Sequence, residues 1–288
     1  MESYSILINT CDKFEDCWDP FFKLWSIYWP DCKAKVFLNT EYKDYSYTGL
    51  NIIPLKCCER KQFKGKYASW SQCLLWALES IDSDIILYMQ EDYFLNGTVN
   101  NEMVEHYVQY MQNHSDVPCI QLSTAGIPDG KVEDPQEHLN DSDPNRISYA
   151  CCQASLWRKN VLQELVRRNE SAWHFEYYGS KRAKYYGYRF LTVNHEWLRS
   201  GHQIIPYFAT GIVRGKWLKP IDELFAAHDI HVDYQIRGFY SPEGPINIWE
   251  RIKRRIRFTK VLSELEIYRL RMNSIMNKWS SVVSVKCV

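Results

Sequence analysis

Residues Asp84 to Asp92 read DIILYMQED, an apolar run that ends in a glutamine and two carboxylates. Such a run between polar ends has the texture of a strand buried on both faces. Two acidic side chains at the end of a buried strand are costly to desolvate unless something positive meets them. The stretch decides the fold because of what precedes it. Tyr4 to Asn9 (YSILIN) is another apolar run, ending in polar Thr10, Cys11 and Asp12. Trp18, Phe21, Phe22, Trp25 and Trp29 then recur at helical spacing and form one apolar stripe, stopped by Pro30 and Asp31. Ala34 to Leu38 and Asn51 to Leu55 read as further strands. Trp70, Cys73, Leu74, Ala77, Leu78 and Ile81 mark a second helix, with Ser69 placed to cap it.

Strands alternating with helices imply βαβ units and a mostly parallel sheet. Ligands in such sheets sit outside the carboxyl ends of the strands, near the point where strand order reverses. Two loops are therefore suspects: Thr10 to Asp12, and Gln90 onward. Val104, Tyr107, Val108 and Met111 predict another helix, and Cys119 to Ser123 and Ile147 to Cys151 predict strands. Between those strands, Gly126 to Asn145 is rich in Pro, Gly, Asp and Asn and reads as one long loop, a kind that is usually functional or mobile. No internal repeat or low-complexity segment is visible.

Composition narrows the function classes. With 288 residues, 45% hydrophobic and 24% charged, the chain has the make-up of a globular α/β domain with an elaborated second half. Lys and Arg number 35, as do Asp and Glu, so no global basic field for nucleic acid exists. Aromatic residues reach 15%, including 11 Trp and 20 Tyr, which suits handling of sugar rings as well as core filling. The N-terminus shows no signal peptide and no stretch reads as a membrane span. The ten cysteines include the neighbours Cys57-Cys58 and Cys151-Cys152 but no CxxC spacing, and read as reduced thiols in the core.

A divalent cation bridging a diphosphate is a natural partner for Glu91 and Asp92. Mg²⁺ or Mn²⁺ is commonly held by one or two carboxylates plus phosphate oxygens. The order of strands and helices leading to this acidic turn resembles the nucleotide-sugar half of GT-A glycosyltransferases, whose DxD-type motif occupies this position. Here the tripeptide is Gln90-Glu91-Asp92, so Asp92 matches the metal-binding end while Gln90 replaces the first Asp. The resemblance implies donor contacts at Thr10 and Asp12, at Lys66, Ser69 and Trp70 by the entry to the second helix, and at Glu91 and Asp92. A helix N-terminus at Ser69 would favour the diphosphate.

The segment Ser171 to Gly179 (SAWHFEYYG) surrounds one carboxylate with aromatic rings. It is similar to the Trp-x-x-Glu segment in the acceptor half of bacterial surface-polysaccharide transferases, as are Trp157-Arg158 and the stretch Gly211 to Trp217. This implies acceptor binding at Trp173 and Tyr177 and a general base at Glu176, with Asp134 the alternative. A Glu in a structural ion-pair network is the competing reading. GT-A enzymes often supply a late His to the metal shell, which points to His228. The implied fold is a GT-A, Rossmann-like mixed sheet, mostly parallel and flanked by helices, with a C-terminal helical extension. The expected division is a donor half at 1–115, an acceptor half at 116–245 and a tail at 246–288.

In the tail, Arg251, Lys253, Arg254, Arg255, Arg257 and Lys260 crowd together while Trp249, Ile252 and Ile256 share a helical face. A basic amphipathic helix over 249–271 suits the surface of an anionic membrane; a solvated helix packed on the domain is the plain alternative. The expectation is thus a cytoplasmic transferase, at the inner face of the cytoplasmic membrane, with Mn²⁺ or Mg²⁺. It would move a sugar from a nucleotide sugar, a UDP-sugar first among them, to a glycan or lipid-linked acceptor by inversion, with no nucleic-acid partner. A sugar-1-phosphate nucleotidyltransferase would need a Gly-rich, Arg-containing loop after the first strand, which LINTCDKF lacks. A non-catalytic carbohydrate binder on the same scaffold is the alternative that keeps the aromatics.

Overall fold

The computed structural model describes residues 4–125, 129–146 and 148–241, together with Tyr268 and Met272. The basic stretch from Trp249 to Lys260, and with it the expected membrane-facing extension, lies outside the described residues. Among those described, no helix is long and apolar enough to cross a membrane.

The chain opens with β1 (Ser5–Asn9), a 3-10 turn (Asp12–Cys17), α1 (Trp18–Tyr28), β2 (Lys35–Leu38), β3 (Ile52–Pro54), a short α2 (Cys57–Arg60), α3 (Trp70–Glu79) and β4 (Ile85–Gln90). It continues through α4 (Asn101–Asn113), β5 (Cys119–Gln121), β6 (Asp129–Asp134), β7 (Leu139–Ser142), β8 (Ser155–Arg158) and α5 (Lys159–Leu165). Then come α6 (Ala172–His174), a π turn (Phe175–Gly179), α7 (Ser180–Tyr186), β9 (Leu191–Val193) and α8 (His195–Arg199). A small hairpin of β10 (Ile212–Val213) and β11 (Lys216–Trp217) precedes α9 (Pro220–Ala227) and α10 (Tyr234–Arg237).

The main sheet has nine strands in the order β3-β2-β1-β4-β8-β5-β9-β7-β6. The first four are mutually parallel, with Leu7 opposite Tyr88 and Phe37 in register. Only β8 and β7 run against the rest, so the sheet is mixed and mostly parallel. Alternation along each strand splits the core in two. Ile6, Ile8, Leu87 and Met89 face the layer of α1 and α4, where Trp25 and Trp29 stack at 4.5 Å. Leu7, Ile86 and Tyr88 face α3 and α5, whose Leu74, Leu78, Leu162 and Leu165 are buried. Strands covered on both faces by helices explain why β1 and β4 read as continuous apolar runs.

Two expectations are corrected. The long loop over 126–145 contains the hairpin β6–β7, which extends the sheet at its far edge. Polar Asp141 and Ser142 disguised β7 because that strand carries Leu139 as its lone aliphatic core residue. Of the strand predicted over 147–151, the described residues 148–151 are instead a turn-rich segment. Its polar groups go to neighbouring helices and their flanks: Ala150 N–H to Ser180 Oγ (2.9 Å), Cys152 N–H to Glu176 Oε1 (3.0 Å), and the Tyr149 hydroxyl to the Tyr188 carbonyl (2.9 Å). The strand follows one turn later, as β8.

Candidate active site

The carboxyl end of β4 delivers Gln90, Glu91 and Asp92 to one wall of a cavity of about 990 Å³. The opposite wall is the kinked helix α6–π–α7, which contributes Ala172, Trp173 and Glu176. Cys152 and Gln153 close one side, and Thr210, Ile212, Arg214 and Gly215 of the β10–β11 hairpin close another. Phe14 of the 3-10 turn completes the rim.

Asp92 is nearly buried, and its Oδ2 accepts the Thr210 hydroxyl at 2.5 Å and the Ile212 N–H at 3.2 Å. The backbone repeats the link, with Gly211 N–H on the Asp92 carbonyl at 2.8 Å. Gly211 is there because a Cβ would fall 2.3 Å from the Phe94 ring. Asp92 therefore anchors the hairpin wall. Glu91 is equally buried, but among the described residues no side-chain donor reaches it. Burial, then the neighbouring Asp92 charge, pushes the Glu91 carboxyl well above its ordinary range. Burial also raises Asp92, partly offset by its hydrogen bonds. The nearest attractive cation, Arg237, is committed to Asp16 (Nε to Oδ2, 2.6 Å) and to the Lys13 carbonyl (2.9 Å). An all-oxygen carboxylate pair without an ion-pair partner among the described residues, opening on a cavity, fits a hard divalent cation such as Mg²⁺ or Mn²⁺. Glu91 and Asp92 are the residues that could hold one.

Glu176 sits within the π turn. Such single-turn π segments insert an extra residue into a helix and often mark functional sites. The helix is started by a capping box in which Ser171 and His174 satisfy each other's backbone donors. Glu176 Oε1 accepts the Cys152 N–H, and burial raises its carboxyl above the ordinary value. Among the described residues it has no paired Arg or Lys of the kind the structural-network reading requires; an ion pair of that kind is made by Glu170, whose Oε2 receives Arg182 at 2.7 Å. Trp173 is 71% exposed and offers a free aromatic face beside Glu176.

The structure brings together Glu91, Asp92, Glu176 and Trp173 and leaves the other expected residues outside the cavity. His228 stands outside the cavity lining: its Nδ1 lies 2.8 Å from the Leu224 carbonyl, so its Nε2, 2.7 Å from Tyr28 Oη, accepts that hydroxyl. Both ring nitrogens are used. Asp12 holds the loop after β2, accepting the N–H groups of Glu41 (2.8 Å), Tyr42 (2.9 Å) and Lys43 (3.2 Å). Thr10 receives the Trp18 indole N–H at 2.9 Å. Ser69 caps α3 as expected, accepting Gln72 N–H at 3.1 Å, but it also accepts Asn169 N–H at 3.2 Å. Ser71 N–H goes to the Glu170 carbonyl at 3.2 Å. The α3 N-terminus thus docks the loop before α6. Trp70 packs on Phe175 at 5.7 Å between centroids, supporting the Glu176 helix from behind. Lys66 sits 5.4 Å from the exposed Tyr67 ring, Tyr177 lies under Lys181 at 5.7 Å, and Asp134 accepts the N–H groups of Gln136 and Glu137 in a turn.

Thr210, Arg214 and Cys152 were not singled out from the sequence. Arg214 stands at φ +53°, beside Gly215 at φ +78°, a conformation in which a long side chain is uncommon and is often maintained at a functional site. No sequence pattern signals that strain in advance.

No protein-family model and no curated protein matches the sequence. Solved structures resemble the fold at low identity. S. aureus TarS 1–349 in complex with UDP is 12% identical, with 66% of this chain and 57% of that chain covered and a TM-score of 0.45. S. aureus TarS 1–349 alone gives 12% identity over 81% of this chain and 68% of that one, at a TM-score of 0.46. M. tuberculosis glucosyl-3-phosphoglycerate synthase in complex with Mn²⁺, UDP and glucosyl-3-phosphoglycerate is 9% identical over 83% and 81%, with a TM-score of 0.42. Identities this low bear on the fold alone. The parallel β3-β2-β1-β4 half with the antiparallel β8 beside it is the mixed, mostly parallel α/β sheet expected from the sequence.

Proposed function

We propose that this chain is a nucleotide-sugar-dependent glycosyltransferase whose donor site lies at Glu91 and Asp92 and whose catalytic base is Glu176. One observation carries the reading: two buried carboxylates at the end of β4, neither in an ion pair among the described residues, and a separate buried carboxylate on a π turn line the same cavity. Inverting transfer needs these two functions on opposite sides of the reacting carbon. A bound Mg²⁺ or Mn²⁺ would neutralise charge developing on the nucleoside diphosphate.

The protein's own residues do the rest. Glu176, held by the Cys152 N–H, takes the proton from the acceptor hydroxyl as that oxygen attacks. Its raised carboxyl value makes it a better base than an exposed glutamate, provided it is ionised. Trp173 stacks on the acceptor ring. Arg214, on the hairpin tied to Asp92, reaches the cavity as a cation for phosphate oxygens. Thr10, Asp12, Ser69 and Trp70 act from outside the cavity, holding the loops and the helix that frame it. A glycan or lipid-linked acceptor, as in surface-polysaccharide synthesis, suits an open aromatic rim.

The test is a thermal-shift screen against UDP-, GDP- and CMP-sugars with and without Mn²⁺, on the parent chain and Glu91→Gln. A ligand at 100 times its Kd stabilises by about 2.7 kcal/mol. A metal-dependent rise with one donor, lost in Glu91→Gln, is expected. An unchanged rise in the variant, or none with any donor, overturns the donor-site assignment.

A further inference from the structure

Away from the cavity, three sulfurs meet. Cys57 and Cys58 begin α2, and Cys73 lies one turn into α3. All three are buried, and their Sγ atoms lie within 4.8 Å of one another. The side chains packed around them, Phe63, Ala68 and Trp76, are apolar. Elsewhere in the core a cysteine acts as a small hydrophobe within a large apolar cluster, as Cys119 does between β8 and β9. Here sulfur faces sulfur.

The scaffold that holds them is unusually well tied for so short a helix. Lys56 enters α2 at φ +44°. Cys57 N–H donates to the Thr40 carbonyl at 2.8 Å, and Cys58 N–H donates to the Glu41 carbonyl at 3.0 Å. This aims two neighbouring side chains at the same point on α3. Cys57 also lines a separate cavity of about 170 Å³, bounded by Arg60, Lys61, Trp76, Glu79 and Ser80. The cluster therefore adjoins a small cavity that also carries Arg60 and the Lys61–Glu79 ion pair (2.7 Å).

We propose that Cys57, Cys58 and Cys73 form a binding site for one soft, thiophilic metal ion of the Zn(II) or Cu(I) class. Thiolate ligands select such ions over the hard cations that suit Glu91 and Asp92. A trigonal ion with metal–sulfur bonds of about 2.3 Å needs sulfurs about 4.0 Å apart, which the observed separation reaches with small side-chain rotations. Cu(I) is complete with three thiolates, while Zn(II) takes a water from the small cavity as its fourth ligand. Each thiol gives up its proton to solvent as its metal–sulfur bond forms, with no change of sulfur oxidation state. Because binding releases thiol protons, it strengthens as pH rises. The ion would staple α2, and the loop after β2 that Asp12 clasps, onto α3.

The full-length chain, reduced and handled without oxygen, is titrated with Zn(II) and separately with Cu(I). Bound metal is counted after desalting and its shell is read by X-ray absorption. One equivalent with three sulfur neighbours is expected, together with a higher melting temperature. Cys73→Ser should lose the bound equivalent and the rise in melting temperature. Cys151→Ser, at a buried cysteine outside the cluster, should keep both. Circular dichroism of metal-free Cys73→Ser checks that the fold is retained; should it unfold, Cys57→Ser serves instead. No retained metal in the parent, a shell of nitrogen and oxygen, or equal binding by the folded serine variant overturns the proposal.

Discussion

Glu176 Oε1 accepts the backbone N–H of Cys152 at 3.0 Å, while the carbonyl of the same Cys152 accepts the Tyr93 hydroxyl at 2.8 Å. The Cys152 main chain thereby joins the π turn to the acidic turn after β4, although the two lie far apart in sequence. Tyr93 is itself stacked on Tyr207 at 4.9 Å, so the tie is rigid. Both carboxylate walls of the cavity are positioned by this one residue.

A first prediction concerns the base. Glu176→Gln retains an amide oxygen for the Cys152 N–H, so stability should change by less than about 1 kcal/mol. Turnover should fall by roughly 10²–10⁴-fold. Burial raises the Glu176 carboxyl above its ordinary 4.5, so the acid limb of kcat/KM against pH should lie above that value, with the rate climbing as the group ionises. Steady-state kinetics across pH checks both.

The acidic pair should separate under mutation. Asp92→Ala leaves the buried Ile212 N–H without its acceptor and should cost about 1–3 kcal/mol in denaturant melts. Glu91→Gln removes a desolvated charge and should leave stability level or higher. Both carboxyls are raised in the folded chain, which therefore holds their protons more tightly than the unfolded chain does. Their contribution is fully present below the ordinary carboxylate range and is lost as pH rises through the folded values. Metal-free parent protein should lose more stability than Glu91→Gln between about pH 5 and 7, read by melting each at matched pH.

Much of this arrangement was legible in advance, and the rest was not for identifiable reasons. Strands β1 and β4 and helices α1 and α3 are buried across a whole face or stripe, so their apolar periodicity survives in the sequence. Glu91, Asp92, Glu176 and Trp173 were reachable because each ends a strand or interrupts an aromatic run. His228 and Asp12 lie outside the cavity, and residue type alone does not reveal the local groups that engage their polar atoms. Thr210 and Arg214 escaped because their relation to Asp92 spans more than a hundred residues. The Cys57, Cys58 and Cys73 cluster escaped because its spacing follows no metal-ligand pattern and only the packing of α2 on α3 assembles it.

Gly211→Ala should be poorly tolerated. Its Cβ would meet the Phe94 ring at 2.3 Å and the Asp92 carbonyl at 3.1 Å. Overpacking of this kind costs about 1–3 kcal/mol. Thermal unfolding should show the loss, and donor binding should weaken with it because Asp92 moves.

Trp173→Ala should do the reverse. The side chain is exposed, so stability should stay within about 0.5 kcal/mol. KM for the acceptor should rise while the donor-induced melting shift is unchanged, a split that kinetics and thermal shift measure side by side.

The most direct measurement is nucleoside diphosphate release from the donor found by thermal shift, with water as surrogate acceptor, in the parent, Glu91→Gln and Glu176→Gln. The account predicts that Glu176→Gln keeps the full Mn²⁺-dependent melting shift yet releases product at least about 10²-fold more slowly. It predicts that Glu91→Gln loses the shift and the release together. Release from Glu176→Gln at the parent rate would contradict the account, because the cavity would then have its carboxylates without the division of labour assigned to them.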